Sequence, residues 1–143
     1  MVTQQVGTEQ SVVVPMDGFH LGNAVIAGTE LSARKGANDT FDVGGFVSLL
    51  QRLGRADEAV MYASDFSRSA DEPIAASIAV PSEVPLAIVE GNYLLADGPQ
   101  WDKFSIFFNE IWFLEIPDEV RLARLADRHM LFGKDRETTE AWA

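Results

Sequence analysis

Ser11-Val12-Val13-Val14-Pro15 places three β-branched residues in succession. Such a run is typical of a short strand that is buried on both faces, as in a parallel sheet. Two later apolar runs have a similar character, Leu86-Ala-Ile-Val-Glu90 and Ile111-Trp-Phe-Leu-Glu-Ile116. The sequence therefore predicts three core strands.

Helical patterns separate these strands. Apolar residues recur at helical spacing between residues 42 and 54, with Asp42 as the N-cap and Gly54 just past the last turn. A second helix is predicted from Pro117 to about residue 132. The remaining patterns are a long loop at 16–40, short strands at 59–62 and 74–80, and a last helix from residue 136. This order favours an α/β layered domain with a mostly parallel sheet.

Composition excludes several classes of function. The 143 residues carry 11 basic and 22 acidic side chains, a net charge of −11, so the overall field does not favour nucleic acid. The absence of cysteine excludes disulfides and thiolate zinc sites. The polar segment 1–10 is no signal peptide, and the most apolar stretch is too short to span a bilayer. We expect a cytoplasmic protein without a membrane or nucleic-acid partner.

Asp17 is the first candidate for chemistry, because it follows the strand that ends at Pro15. Ligands of open α/β sheets bind at the carboxyl ends of the strands, so Asp17 is a candidate general base. The alternative is a turn residue before Gly18. Arg34 and Lys35 are adjacent cations in a loop and form a candidate anion site, with a solvated loop as the alternative.

Glu90 ends the second apolar run, where an acid can hold a magnesium-bound water or orient a substrate. A strand that ends in a polar turn is the alternative. Farther along, Arg121, Arg124 and Arg128 share one helix face in an otherwise acidic chain. Their concentration indicates an anion site, whereas the alternative is a solvated helix face.

Several motifs occur together in an order that resembles a known superfamily. They include Met16-Asp-Gly-Phe-His-Leu21, Arg34-Lys-Gly-Ala37 and Asp39-Thr-Phe-Asp42. They continue with Tyr62-Ala-Ser-Asp-Phe-Ser-Arg68 and Ile88-Val-Glu-Gly-Asn-Tyr-Leu-Leu95. From about residue 12 onward, the chain resembles the acceptor half of the uridine kinase, phosphoribulokinase and pantothenate kinase superfamily. Within it, the chain is most similar to the bacterial nucleoside/nucleotide kinase-like group.

The resemblance implies an ATP-dependent phosphotransferase that acts on a hydroxyl of a small metabolite, such as a nucleoside, a sugar or a pantothenate-like molecule. It implies ATP and Mg²⁺ as cofactors, with Asp17 as the residue that accepts the hydroxyl proton and Glu90 as a metal contact through water. The implied substrate-binding residues are Phe19, His20, Arg34, Lys35, Tyr62, Arg68, Glu90, Asn92 and Tyr93. The implied phosphate-binding residues, on a lid-like helix within 117–136, are Arg121, Arg124 and Arg128.

One departure from the family pattern limits these expectations. The sequence contains no Gly-x-x-x-x-Gly-Lys-Ser/Thr loop, since its only Gly-Lys pair, Gly133-Lys134, precedes Asp135. We therefore expect residues 1–143 to form a single partial domain of the three-layer P-loop kinase type, without the first strand and Walker A motif. The gap in its sheet would be closed by direct pairing of the remaining strands, by another segment, or by a second chain in a homodimer. The alternative function is a non-catalytic remnant or a small-molecule-binding fragment.

Overall fold

The computed structural model describes residue 7 and residues 10–131, with side chains given as far as residue 124. The chain divides into two compact units, Met1–Asn109 and Glu110–Ala143. The predicted helix from residue 136, and most of the polar segment 1–10, lie outside the described residues.

A parallel pair of strands forms the first sheet. Strand β1, Ser11–Pro15, runs beside β4, Leu86–Glu90, in a register that pairs the first residue of each strand and the last residue of each strand. Both predicted strands and their parallel direction are confirmed. Pro15 is thus the partner of Glu90, and the carboxyl ends of the two strands lie side by side.

An antiparallel hairpin forms the second sheet and is longer than the sequence pattern indicated. Its strands are β2, Val60–Ser67, and β3, Glu72–Pro81. A bulge interrupts the ladder between Ala63 and Asp65. Such a bulge bends the strand locally and redirects the side chains that follow it.

Three α-helices are described: α1, Asn23–Ile26; α2, Val43–Arg55; and α3, Asp118–Leu131. The predicted N-cap of α2 is confirmed, because the Gly45 amide donates a 2.9 Å hydrogen bond to the Asp42 carboxylate. The predicted end of α2 is wrong, since Gly54 lies inside the helix and Ala56 takes the left-handed conformation at its end. The predicted loop 16–40 contains three short helical turns, Met16–Phe19, Asn23–Ile26 and Glu30–Arg34.

The core of the first unit consists of two apolar clusters that α2 joins. Its buried Leu49 packs with Val14 of β1 and with the inward residues of the hairpin, whereas its buried Phe46 packs with the fully buried Met16 and Phe104. Helix α2 therefore covers both the parallel strands and the turn that follows β1.

The second unit departs from the predicted third strand. Residues 111–116 are described without strand structure, and their apolar side chains are exposed, with Leu114 90% exposed. The prediction is wrong here because a strand must pair its backbone N–H and C=O groups, and no described residue forms a ladder with this segment. Helix α3 begins after Pro117 with Asp118 and Glu119 in its first turn, where the helix dipole favours acids. Among the described residues, no helix has the length and apolar character needed to cross a membrane.

Candidate functional site

The site is organised by the two acids that follow the parallel strands. Glu90 ends β4, and its partner Pro15 ends β1 two residues before Asp17. The chain turns there into the short helix Met16–Phe19, which keeps Asp17 close to the strand ends. Burial raises the pKa of Glu90, and the negative charge of Asp17 raises it further. The two candidate acids predicted from the sequence are therefore neighbours.

Two glycines allow this close arrangement. A Cβ atom on Gly18 would lie 2.2 Å from the backbone oxygen of Ser64, so only glycine lets the Asp17 turn contact the bulge of β2. A Cβ on Gly91 would lie 2.5 Å from the Cβ of Met16, so Gly91 lets the end of β4 lie against the same turn. Both positions therefore require glycine because a larger side chain would collide with neighbouring atoms.

An open cavity of about 400 Å³ adjoins the strand ends. It is lined by Val13, Pro15, Asp65, Ile78 and Glu90. Sequence reasoning did not select Asp65 as a site residue, although it lies inside the quoted segment between Tyr62 and Arg68. The bulge beside Asp65 is the feature that could not be read from the sequence pattern.

The electrostatic environment of Glu90 identifies a small charged cluster. Glu90 is one of the exposed residues of β4, and the partial burial of its carboxyl group is the main cause that raises its pKa. The negative charges of Asp17 and Asp65 raise that pKa further, while the positive charge of Arg68 lowers it. Asp17, Asp65, Arg68 and Glu90 therefore interact through their charges, and a proton is retained at Glu90 more readily than at an ordinary glutamate.

His20 supports the Asp17 turn. Its Nδ1–H donates a 2.8 Å hydrogen bond to the backbone oxygen of Asp17. Its ring lies between Phe41 and Phe66, with centroid distances of 4.1 Å and 4.7 Å. The hydrogen bond and the aromatic contacts hold the turn from two directions.

The predicted cations Arg34 and Lys35 lie in different environments. The Arg34 side chain is 55% exposed and forms a 2.5 Å ion pair with Asp39. The Lys35 side chain is only 14% exposed, and its ammonium contacts Asn23 and Asp71. The two neighbours therefore have separate partners, and their contact with an anionic group stays a prediction.

The other predicted substrate residues are distributed more widely. Tyr93 donates a 2.9 Å hydrogen bond from its hydroxyl to the backbone oxygen of Gly36. Phe19 packs in the core against Phe46, with ring centroids 4.9 Å apart. Tyr62 is 54% exposed on β2, and Asn92 is exposed in the turn after β4.

The arginine helix belongs to the second unit. Arg121 forms a 3.1 Å ion pair with Asp118, three residues earlier, so local pairing accounts for part of this basic face. Arg124 is exposed, and the side chain of Arg128 lies outside the described residues. A phosphate-binding role for this helix stays a prediction.

Mg²⁺ requires several oxygen ligands around one point, and the phosphates of ATP require a cradle of donors. Among the side chains described, which end at residue 124, no group of three or more His, Asp or Glu is arranged to hold a metal ion. The printed sequence has no Gly-rich phosphate loop. The described residues therefore form neither a built magnesium site nor a phosphate cradle.

Comparisons with known proteins give consistent matches, although no protein-family model matches the chain. The chain is 32% identical over 133 residues to an ATP-dependent kinase-like protein of Aspergillus versicolor, covering 88% of this chain and 77% of that protein. It is 30% identical over 134 residues to a Schizosaccharomyces pombe protein named "Putative uridine kinase", covering 91% of this chain and 57% of that protein.

A crystal structure supports the same relation. It is that of a Silicibacter sp. TM1040 protein described as a "putative fructose transport system kinase", with a TM-score of 0.80 and 38% sequence identity. The match covers 92% of this chain and 63% of that protein. The chain thus spans about three fifths of the length of this protein and of the Schizosaccharomyces pombe relative.

Proposed function

Because this chain belongs to the P-loop kinase-like superfamily, we propose that it serves ATP-dependent transfer of a phosphoryl group to a hydroxyl of a small metabolite. In this proposal the first unit, Met1–Asn109, binds the acceptor molecule. A phosphoryl acceptor must be held with one hydroxyl oriented toward the transferring group, and positioning of this kind supplies much of the rate in such reactions.

One observation carries the proposal. Asp17 and Glu90 follow two neighbouring parallel strands at the same edge of the sheet, where Pro15 and Glu90 line an open cavity. Ligands of α/β sheets bind at this edge, and about 400 Å³ lies within the range of small-molecule sites.

The two acids are assigned different roles. Asp17 accepts the proton of the attacking hydroxyl, because it lies at the start of a turn whose geometry is fixed by Gly18 and His20. Glu90, whose pKa burial raises first and the charge of Asp17 raises further, contacts a second polar group of the acceptor.

The lining of the cavity favours a class of acceptor. Asp65 and Glu90 offer polar contacts, while Val13 and Ile78 offer apolar surface. A nucleoside, a sugar or a pantothenate-like molecule combines hydroxyl groups with apolar surface and fits such a lining. The names of two similar proteins refer to uridine and to fructose, which supports the same class.

In this proposal, residues outside the cavity bind the nucleotide. In the proposed reaction ATP supplies the phosphoryl group, and Arg121, Arg124 and Arg128 are the candidates for contact with its phosphates. The described residues themselves bind the acceptor, orient its hydroxyl and accept its proton at Asp17.

A second candidate function is non-catalytic binding of the same acceptor. The observation that favours it is the lack of a Gly-x-x-x-x-Gly-Lys-Ser/Thr loop in the printed sequence, because that loop binds the phosphates in P-loop enzymes. Binding of the acceptor without phosphoryl transfer separates this candidate from the first.

An ADP-release assay tests the proposal. The chain is incubated with Mg-ATP and a panel of nucleosides, sugars and pantothenate, and acceptor binding is measured in parallel by calorimetry. Asp17→Asn should lower kcat by about 10²–10⁴-fold while acceptor binding persists. Asp57→Asn is the control, because Asp57 is exposed and pairs only loosely with Arg55, at 4.0 Å. Full activity in Asp17→Asn would contradict the base assignment, and acceptor binding without ADP release would favour the second candidate.

A further inference from the structure

The ammonium of Lys35 joins two distant parts of the first unit. It donates a 2.6 Å hydrogen bond to Asn23 Oδ1 at the start of α1. It also donates to the backbone oxygen of Asp71 and to Asp71 Oδ2, the latter at 3.0 Å, in the turn between β2 and β3. The acceptors therefore surround the ammonium from the helical loop and from the hairpin turn.

Asn23 makes a second connection across the same junction. Its backbone N–H donates a 2.6 Å hydrogen bond to Glu72 Oε1, and its side-chain amide donates to the Asp71 backbone oxygen at 3.2 Å. Asp71 has a φ of 52°, a left-handed backbone that L-residues rarely adopt without support. These contacts hold the turn in a conformation that it would not favour alone.

The Lys35 side chain is shielded from solvent, whereas its partner Asp71 is 69% exposed, so the part-buried hydrogen bond to Asn23 is the least screened contact of this junction. A charge-assisted hydrogen bond strengthens when solvent is partly excluded, and the Lys35 side chain is 14% exposed. The ammonium also lies 5.5 Å from the centroid of the Phe66 ring, within the range of a cation–π contact. Arg34, exposed and paired with Asp39 in its own loop, has no comparable environment.

The end of β2 and the hairpin turn that follows it carry residues that act on the proposed acceptor site. The ring of Phe66, near the end of β2, contacts the ring of His20, which holds the backbone of Asp17. The charge of Arg68 acts on Glu90. A displacement of the turn therefore reaches both acids of the site through these two side chains.

We propose that Lys35, Asn23 and Glu72 form a latch between the α1 loop and the hairpin turn, and that Lys35 is a positioning residue of the acceptor site. The inference rests on the proposed function for the meaning of the site, but the latch itself is a property of the folded chain. In this proposal Lys35 positions Phe66 and Arg68 by holding the hairpin turn, and it does not bind an anionic substrate directly.

Proton NMR of the histidine rings tests the latch without any substrate. The sequence has two histidines, at 20 and 129, so their ring signals are few and a His20→Gln variant assigns them. The His20 signals are displaced by the ring currents of Phe41 and Phe66, which lie within 5 Å of its centroid. The Phe66→Leu variant shows how far the His20 signals move when the ring current of Phe66 is lost completely.

Lys35→Met should move the His20 signals in the same direction as Phe66→Leu, toward the values of an unstructured histidine. The matched control Arg34→Met should leave them in place. Unchanged His20 signals in Lys35→Met would overturn the latch, because the hairpin turn would then be held without the ammonium. This result is independent of whether the chain transfers phosphoryl groups.

Two further measurements keep the proposal falsifiable if Lys35→Met fails to fold. Asn23→Ala removes one acceptor of the ammonium and should produce a smaller shift of the same sign; no shift would overturn the latch.

Titration with inorganic phosphate distinguishes the latch from an anion site. The Lys35 side-chain signals should not respond to phosphate, and a saturable response would show that Lys35 binds anions and would overturn its positioning role.

Discussion

Replacement of Gly18 by alanine is the sharpest test of the geometry around Asp17. The added Cβ would lie 2.2 Å and 2.5 Å from the backbone oxygen and carbon of Ser64, and 3.0 Å from the Asp65 nitrogen. Ordinary contacts of a Cβ begin at about 3.4 Å. The obstructing atoms belong to the backbone, so no side-chain rotation relieves the clash, and the turn must move away from β2.

The expected cost follows from the type of obstruction. Overpacking in a well-packed region costs about 1–3 kcal/mol, and a rigid backbone obstruction places Gly18→Ala near the upper value, about 3 kcal/mol. The matched control is Gly54→Ala, inside α2, where the added Cβ meets nothing within 4 Å. That substitution should stabilise the protein by about 0.5–1 kcal/mol, because alanine loses less backbone entropy in a helix than glycine.

Urea denaturation measures both changes in the free energy of unfolding. The midpoint for Gly18→Ala should fall and that for Gly54→Ala should rise, with similar m-values. Because the Asp17 turn is displaced in Gly18→Ala, acceptor binding should weaken in the same variant. Equal midpoints for Gly18→Ala and the wild type would refute the close approach to Ser64 and the argument built on it.

The remaining predictions concern a carboxyl group with a raised pKa and a helix cap. Glu90 binds its proton more tightly in the folded than in the unfolded state, so the wild type loses stability as pH rises from the ordinary range of a glutamate pKa through the raised value. Glu90→Gln should therefore be more stable than the wild type at about pH 7, with the difference vanishing well below pH 4. A pH-independent difference in urea midpoint would contradict the shift. Asp42→Ala should lower stability by about 1 kcal/mol through loss of the cap on α2, and Asp42→Asn should retain most of it in thermal melts followed by circular dichroism; equal losses in both variants would show that charge, and not the cap hydrogen bond, matters.

The elements that the sequence predicted well are those with local causes. The β-branched run at 11–15 and the apolar run at 86–90 became strands because both are rich in residues that favour extended backbone. Asp42 caps α2 because a carboxylate can accept the amide three residues later whatever the rest of the fold does. Asp17 and Glu90 were each placed after a predicted strand, and the structure brings them together because parallel strands end at a common edge.

The elements that escaped prediction depend on distant partners. The run 111–116 has strand-like composition, but a strand exists only where a neighbour supplies its hydrogen bonds. The environment of Lys35 depends on Asp71, which is far away in sequence, so the different surroundings of Arg34 and Lys35 could not be predicted from their adjacency. Asp65 was not selected because its place at the cavity follows from a bulge that no local pattern encodes.

The two sheets also differ in how they can fold. The hairpin joins neighbouring segments, Val60–Ser67 and Glu72–Pro81, through a short turn, so its ladder closes at small entropic cost. The parallel pair joins Ser11 to Leu86, with α1, α2 and the whole hairpin between them. Such nonlocal pairing slows folding, because a long loop must close before any contact compensates for it. The edge that carries Asp17 and Glu90 therefore depends on the slower, nonlocal pairing, whereas the hairpin needs only a short turn to close.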